Sequence, residues 1–388
     1  DEECMQSYID NDMIFSFLAH AQSKLANKEH NEYRTMHISI VNIGSMIISD
    51  KIKIALLFPY NRIGNYASST TNASFAYIIT KNQSFELKSY KIESESQEDI
   101  QAALSTIMAD GFTHVIAPLT TSGANVVVGL NPEMNIFFPT INKQNVNSFS
   151  SNLFFGGIDY NAQSDLLLKR AVSPLIIFYD KSYIGQQLAL YEEDKFKYTT
   201  TNDINTTNEF EDILEPKKVA IKGRKTIKYS ISRGTTNLQN QLKENEDING
   251  STCFINTPIV KTSMILSQLT LYDTNATNIL STQINYDPLI LSMTQYADRE
   301  KMVIANSITE HNNVLIQTNA LLSNDIEYDW INYTTTVGLD YFFHLLSNAD
   351  REYDIEVVDN QMIYPIELLK PSVSRFIKHV SAVKKRED

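Results

Sequence analysis

The chain has 388 residues, 43% of them hydrophobic and 20% charged, and carries a formal net charge of −13. That composition suits a globular protein with room for more than one core. It excludes the positive face that nucleic acid requires, and no apolar run approaches the ~18 residues of a membrane-spanning helix. The 12 glycines leave little material for nucleotide loops; neither GxGxxG nor GxxxxGK[ST] occurs, so no cofactor is expected. The chain starts at Asp1 rather than Met, and the expectation is that a signal peptide, an anchor or a whole domain has been removed upstream.

Residues 1–50 differ from the rest. Met5, Ile9, Met13, Phe17 and Leu25 recur at helical spacing, widened by Ile14, Leu18 and Ala21, and Met36, Ile40, Ile43 and Ile47 form a second stripe. The pattern predicts a helical hairpin. Its apolar stripe has two readings: packing on the main domain, or the last unit of a truncated helical-repeat domain.

From Lys51 the rhythm becomes strand, loop, helix, repeated. Lys51–Phe58 is a buried strand ended by Pro59, followed by a helix over Ala67–Ile79 and a strand over Phe85–Ile92. A helix over Gln97–Ala109 stops at Gly111, which tolerates a left-handed cap. His114–Pro118 is the next strand, Thr120-Thr121-Ser122-Gly123 opens a helix, and Ile136–Pro139 is a further strand. Near Phe155–Asp159 the chain crosses into a second domain. There strands are predicted at Leu175–Tyr179, Lys228–Ser232, Ser251–Asn256, Ile279–Gln283 and Met302–Ala305, with helices between them. Residues 199–225 form an Asn/Thr-rich, then acidic, then basic insertion, read as a solvated loop or hairpin. A long amphipathic helix over Tyr328–Leu346 and a hairpin-like pair, Ile355–Val358 and Met362–Tyr364, follow. Such alternation indicates βα units and parallel sheets, with ligands beyond the carboxyl ends of the strands.

KIALLFP followed by RIGNYA, QEDIQAALSTIMADGFTHVIAP, FYDKSYIGQQLA, SRGTTNLQNQL and YDWINYTTTVGLDYF resemble, in that order, segments of the type I periplasmic-binding-protein fold. The likeness runs from Lys51 to Leu346 as a pattern of elements rather than as exact motifs. It implies a two-lobed α/β fold, two doubly wound parallel sheets joined by a hinge. Lobe 1 would comprise 51–155 plus 308–348, and lobe 2 156–307 plus 349–388 with the charged insertion. Two branches fit. One is the binding proteins for branched-chain amino acids and similar solutes. The other is the LpoA-like envelope proteins, in which a helical-repeat domain precedes such a fold and activates a cell-wall synthase. The preceding hairpin and the short spacing after STCFINTP favour the second.

The resemblance implies a ligand cleft between the lobes. Thr120, Thr121 and Ser122 match a hydroxyl run that, with free N–H groups at a helix start, suits a carboxylate; capping alone would also explain Thr120 or Thr121. Thr140 and Asn142 fall in the next ligand loop. Asn61, Arg62 and Asn65 lie in the first, where Arg62 could clamp an anion bidentately. In the second lobe the aromatic expected before Gly185 is Ile184, with Tyr183 one residue off. Thr257-Pro258-Ile259-Val260 carries no acid to meet an ammonium, and an unpaired ammonium buried there would cost several kcal/mol. An ordinary amino-acid ligand is therefore disfavoured.

Catalytic and metal sites are not expected. The seven histidines show no ligand spacing, no GxSxG elbow occurs, and Glu93, Glu95, Glu98 and Asp99 read as acids favoured at a helix start. Cys4 and Cys253 leave a disulfide open, with a small buried apolar residue the plainer reading of Cys253. The expectation is a non-enzymatic bacterial protein of the periplasm, membrane-associated if a removed segment anchored it. It would act as a scaffold or regulator on envelope proteins; the alternative is a solute receptor of an ABC transporter or sensor for a small polar ligand.

Overall fold

A computed structural model of the chain describes residues 2–11, 13–21, 25–41, 51–64, 66–81, 83–201 and 217–379. Asn65, the acidic part of the insertion, and Ile43 and Ile47 of the second N-terminal stripe lie outside the described residues.

The described strands, in chain order, begin with β1 (Ile52–Pro59), β2 (Phe85–Ile92), β3 (His114–Ile116), β4 (Asn135–Phe138) and β5 (Leu153–Phe155). They continue with β6 (Leu175–Asp180), β7 (Tyr198–Thr201), β8 (Lys217–Ala220), β9 (Thr226–Ile231), β10 (Thr252–Asn256), β11 (Asn278–Ser281) and β12 (Met302–Asn306). The last are β13 (Glu356–Val358), β14 (Gln361–Ile363), β15 (Glu367–Pro371) and β16 (Phe376–Lys378). The chain divides into two compact units, one of 1–158 and 310–364, the other of 159–309 and 365–388.

The first unit holds a sheet of order β13-β14-β5-β4-β3-β1-β2, and the second a sheet of order β16-β15-β12-β11-β10-β6-β9. Within each, the first five strands in chain order are parallel and follow the 2-1-3-4-5 order of doubly wound sheets. The inner parallel strands read as continuous apolar runs because helices cover both faces, whereas the edge strands β2 and β9 carry polar residues. β1 is buried at Ile54, Ala55, Leu56, Leu57 and Phe58, and β10 along its whole length. In the first unit Ile100, Leu104 and Ile107 of the helix Gln97–Ala109 pack with Val115, Ile136 and Phe138 of the sheet. In the second, Ala189 and Phe196 of the helix Tyr183–Lys197 join Leu175, Ile177, Phe254 and Leu280.

The returning tail differs from expectation. Residues 349–364 belong to the first unit, not to the second lobe. Gln361 of β14 pairs with Phe155 of β5 in parallel, and the Asn360 carbonyl accepts the Phe155 N–H at 2.8 Å. Asp340, on the long helix Trp330–Ser347, takes the N–H groups of Glu352 and Tyr353 at 2.9 and 3.2 Å, and the Tyr77 hydroxyl at 2.9 Å. Asp359 and Asn360 have φ of 48° and 64°, as a two-residue hairpin turn between β13 and β14 requires.

At the N-terminus the first stripe does not form one helix. It breaks into Glu2–Asp10 and Ile14–His20, and a third helix covers Lys28–Val41. At the break the Asn11 side-chain amide donates to the Ser7 carbonyl at 2.7 Å, a local bond that competes with helix continuation. Met5, Phe17, Leu18 and Ala21 bury one another with help from Tyr8, Ile9, Leu25 and Tyr33, so much of the stripe is covered within the three helices.

The insertion opens and closes as an antiparallel pair, β7 with β8. Part of its basic block is neutralised: Lys218 meets Asp194 and Lys225 meets Asp247, each at 2.7 Å. Cys253 is buried in β10, Cys4 is exposed, and both are free thiols.

Candidate functional site

In a 2-1-3-4-5 sheet the crevice for a ligand opens where strand order reverses, beyond the carboxyl ends of the first and third strands. In the first unit these are β1 and β3. β1 runs straight into the short helix Tyr60–Ile63, which presents Asn61 and Arg62 to solvent. The register of β1 on β2 sets Pro59 opposite Ile92, so the segment after β2 lies beside this loop. There the Asn61 amide donates to the Glu93 carboxylate at 3.1 Å.

Beyond β3, Thr120 caps the helix Thr121–Leu130, its hydroxyl accepting the Gly123 N–H at 3.4 Å. That hydroxyl has a second partner. The Thr120 N–H donates to one oxygen of Glu95 at 2.7 Å, and the Thr120 hydroxyl donates to the other. The Glu95 carboxylate thus sits on the helix start where an anion would be favoured. Gly123 makes this approach feasible, since a Cβ there would lie 2.7 Å from the Glu95 carboxyl carbon. The segment bearing Glu95 is itself fixed: Ser94 donates its N–H and hydroxyl to Asp99 at 3.0 and 2.6 Å, and the Ser96 hydroxyl accepts the Asp99 N–H at 3.2 Å.

Thr121 and Ser122 are exposed at the first turn of that helix. The Thr140 hydroxyl points back to the Leu119 carbonyl at 3.5 Å. Asn142 is buried; it caps the short helical turn Lys143–Asn145 by accepting the Gln144 N–H at 3.0 Å and donates to the Gly157 carbonyl at 3.3 Å. Its polar groups are thus spent on holding two loops together.

The second unit repeats the arrangement at the carboxyl ends of β6 and β10. Ser182 caps the helix Tyr183–Lys197, accepting the Gly185 N–H at 3.0 Å. It donates its own N–H and hydroxyl to the Asp180 carboxylate at 3.1 and 2.5 Å. Gly185 is again required, because a Cβ there would fall on the Asp180 oxygen. Tyr183 follows the cap and is 78% exposed. Beyond β10, Thr257 is buried and shares a hydrogen bond with Thr262 at 2.8 Å. Both units therefore carry one device: a capping hydroxyl, a glycine three residues on, and a carboxylate of the same chain seated over them. Local sequence hides half of it, since Glu95 and Thr120 are 25 residues apart.

A buried polar group lies behind this end of the second sheet. Glu192 accepts the Asn256 amide at 2.6 Å and the Ser164 hydroxyl at 3.2 Å, and burial drives its carboxyl well above the usual range against those two bonds. Gln163 donates to Ser307 at 2.9 Å and to Gln283 at 3.2 Å. In the first unit His114 is held between Thr113 and Asn135, each at 3.0 Å, and burial lowers its pKa to about 4. Among the described residues no cluster of three or more His, Cys, Asp or Glu could hold a metal ion, and no helix is long and apolar enough to cross a membrane.

No protein-family model matches the chain, and no curated protein matches it. Solved structures do. An ABC transporter substrate-binding protein from Sphaerobacter thermophilus superposes with a TM-score of 0.60 at 11% identity, over 86% of this chain and 97% of that one. The branched-chain amino acid transporter substrate-binding protein LivJ from Streptococcus pneumoniae, in complex with isoleucine, gives 0.55 at 10% identity, over 85% and 100%. Full-length LpoA from Haemophilus influenzae gives 0.53 at 10% identity, over 90% of this chain and 64% of LpoA. The chain has the type I periplasmic-binding fold. At these identities the likeness establishes the fold and not the role. The chain spans less than two thirds of LpoA, whereas it matches the whole of LivJ. On this fold Asn61, Arg62, Thr120, Thr121 and Ser122 lie at the strand ends of the first unit, and Tyr183 at those of the second.

Proposed function

We propose that the protein is a non-enzymatic scaffold or regulator of an envelope machine, acting in the periplasm through contacts with envelope proteins. The observation that carries this reading is the pair of self-seated carboxylates, Glu95 on Thr120 and Asp180 on Ser182. A free amino acid or other carboxylate would have to displace a carboxylate already hydrogen-bonded there, and would meet like charge if it did not. Asn142 is likewise engaged within the protein. The similarity to LpoA, which extends over slightly more of the chain than the similarity to LivJ, accords with the same reading.

In-cell cross-linking from exposed positions on both units, with mass spectrometry of the products, tests it. Recovery of one or a few envelope proteins is the expected result. Recovery of none, together with a saturable rise in melting temperature with a small solute, would replace it by the solute-receptor reading. One feature favours a particular form of that alternative. The extra negative charge at both helix starts would select a solute with a cationic group.

A further inference from the structure

The second unit has a cavity at the opposite end of its sheet, away from the carboxyl ends of the parallel strands. It opens at the start of β11 and β12 and beside the end of antiparallel β15, and measures about 340 Å³. That is the size of a small-molecule pocket rather than of a hydration site. Its charge is unlike that of the chain. Arg170, Lys301 and Lys370 line it with the His379 imidazole, and Glu300 is the one carboxylate among the described residues that line it, although the chain as a whole carries −13.

The cations are held there by the backbone architecture. Arg170 follows the helix Tyr160–Leu168, and its carbonyl is fixed by the Asn278 amide at 2.8 Å. Lys301 donates to the Asn275 side chain and the Ala276 carbonyl, both at 2.9 Å. His379 is tied by its N–H to the Leu368 carbonyl at 2.7 Å. Two basic groups are then placed in contact: the Arg170 guanidinium donates to the His379 ring at 2.8 Å, so the imidazole is the neutral acceptor. The Lys370 backbone pairs with Ile377 in the sheet, and its ammonium has no hydrogen bond or ion pair among the described residues. Elsewhere in the same unit Lys197, Lys218, Lys225 and Lys378 each meet a carboxylate.

We propose that this cavity binds a phosphate-bearing ligand, with Arg170 and Lys370 as its principal contacts. Among the described lining residues three cations stand against one carboxylate, a balance that suits a dianion, and a guanidinium and an ammonium are the side chains that recognise phosphate oxygens. The groups facing His379 are Arg170 after its helix, Lys370 on β15, Lys301 before β12, Tyr296 on the helix Tyr296–Arg299 and Glu300 just after it. Burial first, then Arg170 and Lys370, lower the His379 pKa. A bound phosphate offsets both charges and gives the ring an acceptor, so its binding and the protonation of His379 favour each other.

The test uses the whole chain and inorganic phosphate, with chloride at matched ionic strength as the control. Phosphate is expected to move the His379 ring resonances saturably and to raise the ring's titration midpoint. Lys370→Gln and Arg170→Gln should each weaken the apparent affinity by about tenfold or more. A His379 response no larger with phosphate than with chloride overturns the proposal, and this wild-type measurement does not depend on any variant folding. An equal response in wild type and both variants overturns it as well. Sedimentation with phosphatidylglycerol vesicles, against phosphatidylcholine vesicles, separates the sources. Binding that Lys370→Gln abolishes assigns the phosphate to a lipid headgroup; phosphate binding without vesicle binding assigns it to a soluble ligand.

Discussion

Asn256 donates its side-chain amide to Glu192 at 2.6 Å in a region of the second unit where both residues are fully buried. Desolvation raises the Glu192 carboxyl well above its ordinary value, and the Asn256 and Ser164 bonds only partly oppose it. The folded state therefore prefers the protonated acid. Its contribution to stability is complete below the unfolded carboxyl pKa and is lost as the pH rises through the raised native value. Glu192→Gln keeps the shape and removes the titration. Urea unfolding between about pH 5 and 9 should show the variant less pH-dependent than wild type, and more stable at the alkaline end by about 1 kcal/mol or more. Parallel pH profiles would contradict the assignment.

Glu95→Ala removes an anion from the start of the helix Thr121–Leu130 and leaves the exposed Thr120 N–H to water. The expected loss is about 1 kcal/mol in denaturant unfolding. The vacated helix start should then respond to small carboxylates. Acetate is expected to raise the melting temperature of the variant and not of wild type, whereas an identical response in both would mean that Glu95 does not occupy the seat in solution.

Two glycine substitutions should rank by what they strike. A Cβ on Gly338 would run into the Phe137 ring, and one on Gly157 into the backbone at Ile141 and Asn142. A ring can tilt, but two loops joined by the Asn142 side chain cannot part without losing that bond. Gly338→Ala should cost about 1–3 kcal/mol and Gly157→Ala more. Thermal unfolding of the two variants side by side checks the order.

Burial pushes the Cys253 thiol up to about 12, while Cys4 is exposed. Native protein should take one equivalent of iodoacetamide at neutral pH and a second only on unfolding. Rapid labelling of both thiols in the native protein would place β10 incorrectly.

Much of the fold was legible from pattern, for reasons visible at particular positions. Ile54 to Phe58 and Leu175 to Phe178 are apolar on consecutive residues because each strand is covered on both faces. Thr120 and Ser182 mark helix starts through capping, a local interaction. What was missed depends on distant partners. Glu95 looks like an acid favoured at its own helix start, and only the pairing of β1 with both β2 and β3 brings it to another. Residues 349–364 join the first unit rather than the second lobe through Asp340, 12 and 13 residues upstream of the N–H groups it binds, a link that local pattern does not show. The break after Asp10 is invisible to periodicity because the apolar spacing continues across it.

Neither unit is a continuous stretch of chain. The first is begun before Ile158 and finished between Glu310 and Tyr364. Gly338 packs against Phe137, and Gln361 completes the hydrogen bonds beside Phe155, so the early strands wait for partners that leave the ribosome late. During synthesis the first sheet must keep an apolar face uncovered while the whole intervening segment of the second unit is made. A nascent chain of this design has most need of a holding chaperone in that interval, and a break in translation before Trp330 would strand it there.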